Sequence, residues 1–375
     1  MSIISKEILK KNIPFLDILY SIEKEYNCKI YLVGGCLRDI ILNIQLSDID
    51  ITACNIDYIN LAKILGKKIK AHPVAFKDNM RLMKNNLIID VSKLRGQNIY
   101  DDVLKRDFTI NNLACSLDGE IIGDVSDINN KLIKIVTDNS LTDDPLRIIR
   151  AFRFASTLSF TIDDYTIQNI CKNKELIKSS AKERILEEFR KMFKGENLSY
   201  TLDLLEKHNV LSPILDYSYT DNYKLIAAKT KTSEFHLLLY IWTKDMNFIN
   251  FLNLQVQEMK NISVYSKLDY NKLKNLSEKE LLFFAFKNAK LIDNIALFIE
   301  FNFEDITLSN NILSCFHSLD FSKTKAVNGA LLQKLGFSPS PLFTTILEET
   351  SFLLAIGELN SDNVCDYIIN KWRQQ

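Results

Sequence analysis

The sequence predicts an α+β protein: a head of mixed α and β structure followed by an all-helical remainder. Two observations carry this. The short runs rich in β-branched and other apolar residues, "KIYLVGG", "DIDITAC", "NLIIDVS" and "GEIIGDV", all fall within the first 137 residues. After "TDNSLTDDP" the apolar residues recur at helical spacing to the end of the chain, with glycines and prolines at the junctions. Boundaries follow at 1–137 for the head, 138–200 for a helical neck and 201–375 for a helical body and tail.

Residues 5–27 have apolar positions at helical spacing. "KIYLVGG" is a strand running into the Gly34-Gly35 corner, and "CLRDIILNI" a helix leaving it. "DIDITAC" is the next strand, "IDYINLAKILGKK" a helix, and "NLIIDVS" and "GEIIGDV" further strands. In "DDPLRIIRAFRF", Asp143 or Asp144 starts a helix with Pro145 in its first turn. Ile148, Phe152 and Ala155 then form an apolar stripe, with Arg147, Arg150 and Arg153 on the other side and Asp144 beside Arg147. On periodicity alone such a face is solvated. Three arginines without matching acids one turn on also suit a polyphosphate. "ERILEEF" reads as structural, with Glu183, Arg184 and Glu187 bracing the neck.

The totals exclude several classes. At 47% apolar and 25% charged residues the composition is that of a water-soluble globular protein. Basic and acidic residues balance at 47 each, so a polyanion would have to be met by local patches. Every arginine except Arg373 precedes residue 195, which puts guanidinium chemistry in the N-terminal half. Seven scattered cysteines without CxxC spacing read as thiols in a reducing compartment, neither a disulfide framework nor a zinc site. With no signal-peptide pattern and no membrane-spanning run, a cytoplasmic location is expected.

The chemistry concentrates between Val33 and Thr52. On a strand, residues i and i+2 share a face, so Asp48 and Asp50 point together while Ile49 enters the core. Two such carboxylates repel unless a cation joins them. Mg²⁺ takes oxygen ligands of this kind and keeps sites for phosphate oxygens. The Gly34-Gly35 corner lets backbone approach a phosphate closely, and Arg38 adds charge. Asp90, alternating with Ile89 and Val91, is a candidate third carboxylate.

"GGCLRDIILNIQLSDIDIT" resembles the signature of the class II tRNA nucleotidyltransferase and bacterial poly(A) polymerase family, within the DNA polymerase β-like nucleotidyltransferase superfamily. The resemblance continues in "KRDFTINNLA" (105–114), "DDPLRIIRAFRFASTLSFTID" (143–163) and "AKERILEEFRKMF" (181–193), and more weakly at 327–349. It implies a polymerase β-like head with a mixed β-sheet, then an all-α neck, body and tail. It also implies template-independent addition of C and A to tRNA 3′ ends from CTP and ATP, with release of pyrophosphate. By the same resemblance Asp48 and Asp50 are catalytic and hold Mg²⁺. Gly34, Gly35, Arg38, Arg106, Asp107, Asn111, Asp144, Arg147, Arg150 and Arg153 bind nucleotide. Asp144 and Arg147 form a protein template for the base. Arg150 and Arg153 hold the triphosphate, and Asp107 tests the ribose hydroxyl. Read by themselves, Asp107 and Asn111 could as well serve turns and caps. The implied partners are tRNA, CTP and ATP, with no membrane and no DNA.

The sequence departs from the family pattern in two places that matter. "DVSDINNKLIKIV" (124–136) lacks the glycines of a longer hinge, and 90–106 is short where many members carry a flexible loop. A partial enzyme adding only CC or only A is therefore an alternative, as is a poly(A) polymerase, although "NKWRQQ" is not the basic tail expected of the latter. A non-catalytic RNA-binding relative is the rival from another class. The four histidines include no His-Asp dipeptide, which dismisses an attached HD-type phosphohydrolase. Lys224, Lys229, Lys231, Lys260, Lys267, Lys272 and Lys274 are candidates for an RNA-backbone patch.

Overall fold

The computed structural model describes residues 3–76, 79–215 and 223–373. Along the head run α1 (Lys6–Asn12), α2 (Leu16–Tyr26), β1 (Lys29–Val33), α3 (Gly35–Ile41), β2 (Asp48–Cys54), α4 (Tyr58–Ile69), β3 (Val74–Phe76), β4 (Asn79–Lys84), β5 (Leu87–Ser92), α5 (Ile99–Leu104), β6 (Ala114–Ser116) and β7 (Ile121–Ile122). Then come α6 (Ser126–Asn129), β8 (Leu132–Ile133), α7 (Ser140–Asp143), α8 (Arg147–Leu158), β9 (Thr161–Ile162), α9 (Asp164–Asn173), α10 (Lys182–Met192) and α11 (Leu198–Lys207). From Tyr223 to Trp372 the regular structure is helical.

Seven strands form one mixed sheet in the order β3-β4-β5-β2-β1-β6-β7. Only the β2–β5 pair within it is parallel, and its register sets Asp50 opposite Asp90. The alternation expected of β2 is present: Ile49 and Ile51 are fully buried, while Asp48 is exposed and Asp50 half-buried. Helix α4 packs on β2, β4 and β5, and α2 on β1. The sheet's apolar residues are thus consumed by helices, and the carboxylates of β2 are left to a cavity. Cutting Ile49 or Ile51 to alanine should cost about 2–5 kcal/mol.

Several expected elements differ. The helical spacing over 5–27 is realised as two helices, divided where Ile13 ends α1 just before Pro14, whose ring cannot sit in a helix interior. Strand β4, "NMRLMK", carries no β-branched residue and is held by pairing with both β3 and β5. The stretch after Pro145 is not purely helical. Thr161–Ile162 pairs in parallel with Leu132–Ile133, so the supposed hinge segment contributes a strand.

The chain forms two units, residues 1–231 with 245–253, and residues 232–244 with 254–375. The expected boundaries after 137 and after 200 both lie inside the first. The second unit has a core of its own that includes Leu332, Ile346, Phe352, Ile368 and Trp372. Among the described residues no helix is long and apolar enough to cross a membrane, and all seven cysteines are free.

Candidate active site

The site is built where β1 ends and β2 begins. Gly34 takes φ +75°, a conformation that residues with a Cβ rarely adopt, and starts α3. A Cβ there would sit 2.7 Å from Arg106 Nη1 and 3.8 Å from Asp50 Oδ2. The bare backbone of Gly34 therefore lets a guanidinium and a carboxylate converge. Ser47 Oγ donates to Asp48 Oδ1 at 2.9 Å and orients it.

Four elements close around this corner. Helix α3 supplies Arg38, buried, with Nη1 donating to Asn111 Oδ1 at 2.6 Å and Nε to Asp39 at 2.8 Å. The 3-10 turn Thr109–Asn111 supplies Asn111, whose Nδ2 donates to Asp107 Oδ1 at 3.0 Å. Helix α8 supplies Arg150, whose Nη2 and Nε donate to Asp107 Oδ2 at 2.6 and 3.0 Å. Helix α10 supplies Glu188, nearly inaccessible, which accepts from Arg153 Nε at 2.9 Å and lies 3.4 Å from Arg150 Nη1. The result is a chain of alternating charge from Arg38 through Asn111, Asp107 and Arg150 to Glu188 and Arg153.

Asp144 precedes α8, which starts at Arg147, so the helix begins later than Asp143 or Asp144 and Pro145 lies before its first turn. Asp144 Oδ1 accepts from the Leu146 amide at 3.2 Å. Its Oδ2 accepts from Arg184 Nη2 on α10 at 3.0 Å. Arg147 donates to the carbonyls of Ser140 and Lys105 at 3.0 and 3.1 Å. Ile148, Phe152 and Ala155 are fully buried, which turns the arginine face of α8 toward the cavity.

The cavity so enclosed has a volume of about 590 Å³, within the range of small-molecule sites. Gly34, Gly35, Arg38, Asp48, Asp50, Arg106, Asp107, Asn111, Asp144, Arg147, Arg150 and Arg153 all line it. The walls carry seven of the protein's ten arginines and Lys191, against five carboxylates. The excess is positive at the arginine-bearing wall, and the Asp48/Asp50 pair makes a local negative point. Burial, then Asp48, pushes the Asp50 carboxyl up to about 6, against the opposing pull of Arg106. Burial would raise Asp107 as well, but Arg150, Asn111 and the Phe108 amide hold it far below the usual carboxylate range. Burial lowers Arg153 to about 10 in spite of Glu188.

Three sequence expectations need correcting. Two arginines of α8, Arg150 and Arg153, find acids outside their own helix, in Asp107 of the head and Glu188 of α10. Arg184 does not merely brace the neck; it lines the cavity and pairs with Asp144. Asp90 is not free beside Asp50, because Arg81 of β4 donates to both its oxygens at 2.8 and 2.7 Å. Asp107 and Asn111 do more than cap a turn, as the charge chain runs through them. Sequence reasoning passed over Arg95, Glu188 and Lys191. Arg184, Glu188 and Lys191 recur at i, i+4 and i+7, one face of a helix, and that spacing was the available signal.

Residues 30–134 match the model of the poly A polymerase head domain, and residues 159–218 that of the probable RNA- and SrmB-binding site of polymerase A. The chain is similar to the CC-adding tRNA nucleotidyltransferase of Halalkalibacterium halodurans, with 30% identity over 52% of this chain and 51% of that relative. It is similar to the CCA-adding enzyme of Lactococcus lactis at 24% identity over 90% of this chain and 92% of the other. At about 30% identity the chain spans about half the length of the curated relatives it matches. The fold is that of the Thermotoga maritima CCA-adding enzyme solved in complex with tRNA, at a TM-score of 0.74 and 20% identity, covering 99% of both chains. That agreement covers the mixed-sheet head and the helices after it.

Proposed function

We propose that this protein is a template-independent tRNA 3′-end nucleotidyltransferase, adding C and A from CTP and ATP with release of pyrophosphate. The observation that carries the reading is the single cavity in which the acid pair, the glycine corner and the arginine face of α8 confront one another. The relatives' names point to the same RNA end.

Asp48 and Asp50 fit a magnesium ion. They offer hard oxygen donors on one strand face, and the upward push on Asp50, from burial first and Asp48 second, is one that a cation there would relieve. Asp48 and Asp50 would hold the ion, with phosphate and water oxygens as its other donors. When bound, the ion would neutralise the α-phosphate and favour loss of the proton from the attacking hydroxyl. The protein's own residues do the rest. Arg150 and Arg153, fixed by Asp107 and Glu188, receive the triphosphate, and Gly34 and Gly35 bring backbone close to it. Arg38 and Arg106 add charge beside it. Asp144 accepts from the exocyclic amine of cytosine or adenine, and Arg147 donates to the neighbouring ring nitrogen. Uracil and guanine present a carbonyl to Asp144, and an unpaired polar contact of that kind costs about 1–3 kcal/mol. Asp107, which lines the same cavity, takes the part of testing the ribose hydroxyl. The tRNA acceptor end enters through the neck, residues 138–200. The body, residues 201–375, holds its backbone, with Lys260, Lys267, Lys272 and Lys274 exposed for that purpose.

The test offers tRNA transcripts ending at the discriminator base, at C and at CC, with CTP and ATP singly and together. CCA addition predicts that all three grow in the mixture and stop at A. A CC-adding or A-adding enzyme skips a step, a poly(A) polymerase runs on with ATP, and no extension of any transcript refutes transfer.

A further inference from the structure

Arg95 is a cavity residue with no assigned task. It lies between β5 and α5, in the stretch that is short where many members of the resembled family carry a flexible loop, and it lines the cavity. The loop is held rigidly against the first turn of α5. Asn98 caps that helix through the Asp101 amide at 3.0 Å, Asp101 Oδ2 accepts from the Gln97 amide at 2.9 Å, and Asp102 Oδ1 accepts from the Arg95 amide at 2.9 Å. Gly96 completes the clamp, since a Cβ there would lie 2.2 Å from Asp101 Cβ.

Asp102 is wholly buried and works in two directions. Its second oxygen accepts from Arg106 Nε and Nη2 at 3.0 and 2.6 Å. One buried carboxylate therefore fixes both the Arg95 backbone and the Arg106 side chain. That leaves nothing for the Arg95 guanidinium, which among the described residues meets no carboxylate. It is exposed at the cavity wall, where desolvation and then the Arg106 cation lower its pKa against the pull of Asp102 and Asp107. A guanidinium on a fixed backbone, beside a second guanidinium and lining a cavity, is a site that wants an anion.

We propose that Arg95 and Arg106 form a phosphate-binding site on the α5 side of the cavity, separate from the Glu188-buttressed pair Arg150 and Arg153. This rests on the proposed function for its occupant: a phosphate of the incoming triphosphate or a backbone phosphate of the RNA 3′ end. Arg95 makes its structural bond through its backbone, so Arg95→Gln should fold as the unsubstituted protein does, which a melting curve checks.

The experiment measures equilibrium binding of tripolyphosphate, CTP, cytidine and a short RNA ending in CC to the full chain and to Arg95→Gln. A triphosphate occupant predicts about ten-fold weaker tripolyphosphate and CTP with cytidine unmoved. An RNA occupant predicts weaker RNA and a salt slope shallower by about one unit, with CTP unmoved. Binding of all four within two-fold of the unsubstituted protein overturns the site. Tripolyphosphate weakened in Arg95→Gln, with no preference for CTP over it in the unsubstituted protein, keeps the site and removes the nucleotide reading. A full chain that binds neither tripolyphosphate nor RNA overturns both.

Discussion

Asp107 and Arg150, 43 residues apart, share one oxygen: Arg150 Nη2 and Nε both donate to Asp107 Oδ2, at 2.6 and 3.0 Å. The contact joins the segment after α5 to the arginine face of α8, and it fixes where that face points. Breaking a largely buried pair from one side leaves an uncompensated charge. Asp107→Ala should cost about 3 kcal/mol in chemical denaturation and raise the KM for nucleotide more than it lowers kcat. A variant that keeps wild-type stability and KM would show the pair to be incidental.

The acid pair makes stability depend on pH. Asp50 sits at about 6 against an ordinary 3.8. Between those values the folded protein holds a proton that the unfolded chain has released. Without metal, the contribution is therefore full below about pH 4 and lost as pH rises to about 6, roughly 3 kcal/mol in all. Magnesium competes with that proton, so it should raise the melting temperature near pH 7.5 and do little near pH 5. Asp50→Asn should remove both effects. A melting temperature independent of pH and magnesium speaks against the assignment.

Transfer itself should vanish in Asp48→Ala and in Asp50→Ala with circular dichroism unchanged, because both carboxylates face the cavity and Ile49 and Ile51 carry the strand's burial. Extension at the unsubstituted rate in either variant would remove the acids from the chemistry.

Nucleotide choice should respond to a residue outside α8. Arg184 holds Asp144 Oδ2 at 3.0 Å, so Arg184→Ala frees the carboxylate to turn. We expect misincorporation of UMP to rise about ten-fold in single-nucleotide assays, with RNA affinity little changed. Asp144→Ala and Arg147→Ala should do the same. An unaltered preference for CTP over UTP in all three contradicts the base-reading role.

Gly34→Ala tests the corner. It forces a side chain into φ +75° and 2.7 Å from Arg106 Nη1. A strain of about 1–3 kcal/mol should appear in unfolding, with a raised KM for nucleotide as Arg106 is displaced.

Much of this was legible in the chain because local periodicity fixes which way a side chain points. Period two put Asp48 and Asp50 on one face of β2, and period 3.6 put Arg147, Arg150 and Arg153 opposite Ile148, Phe152 and Ala155. The Gly34-Gly35 corner was readable because few other residues tolerate its backbone. What required the tertiary structure was pairing at a distance. Asp90 stands in register with Asp50 but is taken by Arg81, from a strand that has no β-branched residue to announce it. Arg150 finds Asp107 and Glu188, and Asp144 finds Arg184, across gaps that no helix or strand repeat encodes. Spacing along one element is set by bond geometry, whereas a charge's partner is set by which elements the buried apolar faces bring together, and only the folded chain determines that.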